Sequence, residues 1–212
     1  MKGIIGLLAL LSFTVTFGQT TMYTQDFETD LSGYSHTPSQ TPSTDPGDRY
    51  FYRAEPSDPD VYEGSVGPYT NVTGSWLFVG SNPNTINSST TGVLSFGAID
   101  VTGFLSLELS ADFGAVPNDW DAADLLSVEY SWDNSSWSEL YSFNSGATNN
   151  PLDLQNNATG GNNTTNGATL AYALQTIVSS NFSGTGSTLY LRIVSDAGAN
   201  YEAFGVISPS VA

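Results

Sequence analysis

Short apolar runs with a period of two, each closed by a cluster of Gly, Pro, Asn or Asp, recur from Met22 to Ser208, and no window sustains a period of 3.6. A chain of this kind can bury one face of each segment only by pairing strands. The runs predict strands in "MYTQDFE" from Met22, "RYFYRA" from Arg49, "SWLFVG" from Ser75, "GVLSFGAI" from Gly92 and "FLSLELSADF" from Phe104. They continue with "LLSVEYSW" from Leu125, "SWSELYSF" from Ser136, "LAYALQTIV" from Leu170, "STLYLRIV" from Ser187 and "EAFGVIS" from Glu202. In "FLSLELSADF", Leu105, Leu107 and Leu109 fall on one face and Ser106, Glu108 and Ser110 on the other. Val128, Tyr130 and Trp132 alternate with Ser127, Glu129 and Ser131, and "DNSS" turns the chain into a partner strand with Trp137 and Tyr141. Roughly ten short strands without intervening helices predict an all-β, two-sheet antiparallel sandwich of jelly-roll type.

Two stretches lack core-formers, residues 35–48 and 144–169, and are expected to be loops, with Leu152 and Leu154 pinning the second to the body. Residues 1–18, with Lys2 ahead of the apolar run from Ile4 to Leu11, read as a secretory signal peptide, and 19–212 as a single sandwich domain. No later segment is long and apolar enough to span a membrane as a helix. The expectation is a secreted or cell-surface protein. With no cysteine there are no disulfides and no thiol chemistry, and a bacterial source fits this best.

Charge narrows the partners. The formal net charge is -17, and beyond Lys2 the only strong cations are Arg49, Arg53 and Arg192. A phosphate backbone is held by Lys and Arg that displace counterions, so a nucleic-acid partner is disfavoured, whereas neutral glycans and divalent cations are compatible. With so few cations, each Arg is expected to have a specific partner; the "YFY" strand face between Arg49 and Arg53 places Glu55 nearby. Enzyme chemistry finds few parts. The one imidazole, His36, lies in a Pro- and Ser-rich stretch, too little for a triad or a histidine metal site. A glycosidase needs only two carboxylates, but the Glu-x-Asp-x-x-Glu strand spacing of sandwich-fold glucanases is absent.

The densest chemical cluster is "PNDWDAAD", residues 117–124. Three readings are open. Its carboxylates can cap turns by accepting from nearby backbone N–H groups. Asp119, Asp121 and Asp124 can serve as hard oxygen ligands for calcium, although their spacing is not that of a helix-loop-helix calcium site. Trp120 can stack on a sugar ring while Asn118 and Asp119 accept hydroxyl protons. Trp76 and Trp132 read as core, and Trp137 as core or as part of an open sheet face.

The order of "GAIDVTGFLSLELSADFG", "NDWDAADLLSVEYSWDNSSWSELYSFN", "NGATLAYALQT" and "GTGSTLYLRIVSDAGANYEAFG" resembles the jelly-roll accessory modules of secreted bacterial nucleases and other exported multi-domain bacterial proteins. The resemblance covers most of the chain from Phe27 onward and implies an accessory module. Such modules end on an Asp-Asn pair where this chain has Ile207 and Ser208, so a calcium site against Asp26 and Glu28 loses its ligand here. Pro209 is expected at a sheet edge or at the end of pairing. The expected function is a secreted binding module for a glycan or surface polymer. The alternatives are a structural spacer within a larger exported protein and, third, a glycoside hydrolase.

Overall fold

A computed structural model describes residues 20–37, 50–58, 67–82, 91–155, 168–198 and 201–212. These residues form thirteen strands: β1 (Tyr23–Thr24), β2 (Tyr34–Thr37), β3 (Tyr50–Ala54), β4 (Leu77–Ser81), β5 (Gly92–Phe96), β6 (Ile99–Asp100) and β7 (Leu109–Ala115). They continue as β8 (Leu125–Ser131), β9 (Ser138–Asn144), β10 (Asp153–Gln155), β11 (Gln175–Val178), β12 (Thr188–Asp196) and β13 (Ala203–Val211). Among the described residues there is no helix, and with it no helix able to cross a membrane. A six-stranded sheet runs β11-β7-β13-β4-β3, with β1 added to β13. A seven-stranded sheet runs β10-β9-β8-β12-β5-β2, with β6 added to β12. All strand pairs are antiparallel. The fold is the expected all-β, jelly-roll-like sandwich.

Side-chain alternation explains the packing. Along β12, Leu189, Leu191 and Ile193 are buried, while Tyr190, Arg192 and Val194 between them keep contact with solvent. Phe78, Phe113, Tyr141, Phe143 and Phe204, all fully buried, fill the space between the sheets. Several meet edge to face, as with Phe113 and Tyr141, whose ring centroids lie 6.1 Å apart.

Four expectations are corrected. The stretch 35–48 is not all loop: residues 35–37 belong to β2, which pairs with β5 and tucks His36 between Tyr34, Phe51 and Phe78. The rest of that stretch, and Arg49, lie outside the described residues. The stretch 144–169 contributes β10, with Leu152 and Leu154 buried as expected; residues 156–167 lie outside the described residues. The strand expected from Phe104 begins at Leu109, and Leu105 is exposed while Leu107 and Leu109 are buried. Pro209 lies within β13 rather than at its end. The pairing with β4 stops at Val206 and the register against β7 shifts between Ile207 and Ser210, so the missing donor falls where the ladder is interrupted, and the Pro209 carbonyl accepts from the Gln25 amide at 2.9 Å.

Candidate functional site

At one end of the sandwich, the chain between β7 and β8 folds back on β13, held by the Val116 amide donating to the Ala203 carbonyl at 2.9 Å. Trp120 is the one large apolar group of this acidic segment, and it turns inward. Its ring is fully buried, and its Nε1 donates to the Val116 carbonyl at 3.0 Å. The indole therefore presents no face to a sugar, and the expected stacking on Trp120 is withdrawn. Asn118 is exposed; Asp119 is half-buried, with an Oδ2 that has no hydrogen-bond partner among the described residues.

Burying Trp120 pulls its neighbours into a tight turn. The Asp124 amide donates to the Asp121 carbonyl at 3.0 Å, and the Asp121 amide donates to Asp124 Oδ2. The turn-capping reading thus holds for this pair. It also presses Asp124 against Glu202, at the start of β13. Carboxylate oxygens of Asp121, Asp124 and Glu202 lie within 4.8 Å of one another, a group that could hold a metal ion. Asp119 is not part of this group, and Glu202 joins Asp121 and Asp124 there.

Asp124 and Glu202 are almost wholly buried, 7% and 1% exposed. Burial raises the Asp124 pKa above the usual carboxylate value; the Asp121 amide and a bond to Glu202 oppose this, and the charges of Asp121 and Asp196 add to it. Both described arginines are committed elsewhere. Arg53 donates to the Phe27 carbonyl and, at 2.7 Å, to the Glu28 carbonyl, and it lies 3.5 Å from the centroid of Trp76. Its expected partner, Glu55, is replaced by these main-chain oxygens. Arg192 pairs with Glu129 at 2.6 Å.

The second feature is the outward side of the seven-stranded sheet. Register sets Ser95 on β5, Arg192 on β12, Glu129 on β8 and Glu139 on β9 in one row across four strands. Arg192 Nε and Nη2 both reach Glu129 Oε2 at 2.6 Å. The Ser127 hydroxyl donates to Glu129 at 3.4 Å and the Ser142 hydroxyl to Glu139 at 3.1 Å. Trp137 enters β9 with its ring 4.1 Å below the Arg192 guanidinium carbon, and Tyr190 lies one outward position away on β12. Both aromatic residues are half-buried.

No protein-family model matches the chain, and a comparison with curated proteins finds no match. Among solved structures, the chain is similar to the K1 cleaved adhesin domain of Lys-gingipain from Porphyromonas gingivalis W83, at 10% identity and a TM-score of 0.45, over 92% of this chain and 98% of that one. The K2 cleaved adhesin domain of Lys-gingipain matches at 13% identity and TM-score 0.46, over 90% and 97% of the two chains. The CBM22-1 xylan-binding domain of Paenibacillus barcinonensis Xyn10C matches at 13% identity and TM-score 0.44, over 91% and 93%.

Proposed function

We propose that this chain is an exported, non-catalytic binding module that holds a glycan or surface polymer across the outward face of its seven-stranded sheet. The observation that carries the reading is the row Ser95–Arg192–Glu129–Glu139 with Trp137 beneath Arg192. A sugar chain offers hydroxyls at its edges and C–H groups on its faces. A planar guanidinium, two carboxylates and serine hydroxyls in a line can exchange hydrogen bonds with the first, and half-buried aromatic rings can pack against the second. Because Arg192 is already clamped by Glu129 and Trp137, little side-chain freedom remains to be lost on binding. The mature chain on a glycan array should bind a polysaccharide, and Trp137→Ala and Arg192→Ala should each weaken binding by about tenfold or more. The same polysaccharide incubated with the chain should release no reducing ends. Undiminished binding by both variants sinks the sheet-face assignment, and released reducing ends sink the non-catalytic one.

A second reading concerns an ion. Three clustered carboxylates, two of them almost wholly buried, with both described arginines engaged elsewhere, are costly unless a proton or a cation neutralises them. The donors are all hard oxygens, and calcium is the ion such a set suits best. The ion would tie the segment between β7 and β8 to the start of β13. Its role is structural and it takes no part in holding the glycan.

A further inference from the structure

The large apolar side chains exposed among the described residues are Leu31, Phe104 and Leu105, and two of these are neighbours. Phe104 is 42% exposed and Leu105 83%. They belong to the stretch between β6 and β7, which runs beside the stretch between β11 and β12. The two backbones are laced together at both ends. The Val101 amide donates to the Ser187 carbonyl at 2.9 Å, and Leu107 and Phe182 exchange two bonds at 2.9 Å. Between these points the chains part and leave a cleft of about 440 Å³, lined by Thr102, Phe104 and Leu105 on one side and Gly184, Thr185 and Ser187 on the other. That volume falls within the range of small-molecule sites, about 300–1,000 Å³.

The cleft is held open from behind. A β-carbon placed on Gly184 would lie 2.0 Å from the Trp132 ring, and one on Gly186 2.8 Å from it. The indole is therefore packed directly against the glycine loop, which no larger residue would permit. Tyr130, near the end of β8, adds support by packing on Phe182, ring centroids 4.9 Å apart. The wall opposite Phe104 is thus built into the fold before any ligand arrives.

The lining selects the ligand. None of its side chains ionises, so a charged ligand finds no counter-charge there, in a chain whose formal charge is -17. A wholly apolar ligand would strip water from the Thr102, Thr185 and Ser187 hydroxyls and give nothing in return. A neutral pyranose satisfies both halves. We propose that this end cleft is a second saccharide site, taking a terminal neutral sugar whose C–H face lies on Phe104 and whose hydroxyls meet Thr102, Thr185 and Ser187. It shares no residue with the row on the sheet face and does not rest on that assignment.

The test uses the whole mature chain and a panel of methyl glycosides of neutral hexoses and xylose with their disaccharides. Binding is read by saturation-transfer NMR and by tryptophan emission, to which Trp132 behind the glycine loop contributes. At least one sugar of the panel should bind, Phe104→Ala should weaken it about tenfold and Phe104→Tyr should retain it, while Leu31→Ala, at an exposed apolar side chain outside the cleft lining, leaves it unchanged. Phe104 is exposed enough that the variant keeps its fold, which an unchanged melting temperature verifies. Loss of sugar binding in Trp137→Ala but not in Phe104→Ala overturns the proposal and leaves the sheet face standing. So does the absence of any response to the panel, or Leu105-dependent binding to phosphatidylcholine vesicles or to a second copy of the chain in place of sugar.

Discussion

Asp133 closes the turn between β8 and β9 almost alone. Its Oδ1 accepts from the Ser136 amide at 2.7 Å, the Ser135 amide at 2.8 Å and the Ser131 hydroxyl at 2.9 Å. Each bond favours the ionised form, the two amides most, and together they hold the carboxyl well below its ordinary pKa. The sign of the linkage follows. The contribution is present above the unfolded value, about 3.9, and is lost as pH falls through the lower folded value. Asp133→Asn should therefore lower the melting temperature at neutral pH, and the gap from the parent should close in acid. A gap that is independent of pH would show that the charge is not what holds the turn. This turn matters beyond its own bonds, because it carries Trp132 to the glycine loop and Trp137 to Arg192.

The strands were legible in the sequence where one face is apolar and the other polar. β5 and β8 lie inside the predicted runs, and β9 and β12 overrun theirs by one and two residues, because the apolar pattern is local. β2 and β10 were not, for a physical reason. "YSHT" and "DLQ" carry little apolar pattern of their own and become strands through pairing with β5 and β9. The same limit hid part of the acidic site. Asp121 and Asp124 announce themselves by density, but Glu202 reaches them only because Val116 hydrogen-bonds to Ala203, a contact between distant parts of the chain. Trp120 misled because an aromatic among carboxylates looks exposed, whereas it is the group that buries the turn. At this scale the glycine loop before β12 gives a direct check. Gly184→Ala forces a β-carbon into the Trp132 ring and should cost about 1–3 kcal/mol of stability, with a shift in tryptophan emission. Parent-like stability and emission would mean that Trp132 does not pack as described.

Taken whole, the molecule has far more carboxylates than cations, and the fold spends both described arginines on specific tasks. Arg53 serves the main-chain oxygens of Phe27 and Glu28, and Arg192 pairs with Glu129. Neither described arginine reaches the acidic end at Asp121, Asp124 and Glu202. Calcium at a hundred times its dissociation constant should add about 2.7 kcal/mol of stability, seen as a higher melting temperature than in chelator. Asp121→Ala should abolish that difference and Asp26→Ala should keep it. The reverse pattern would place the ion at the first strand.

The proposed function rests on the outward face of the seven-stranded sheet. The decisive measurement is a ¹H–¹⁵N correlation spectrum of residues 19–212, titrated with soluble fragments of whichever polysaccharide they retain. Binding at the sheet face predicts that the Trp137 indole and the amides of Ser95, Glu129, Glu139 and Arg192 shift together and saturably, while the buried Trp120 indole stays in place. Shifts that gather instead at Asn118 and Asp119, with the row on β5, β12, β8 and β9 silent, would contradict it.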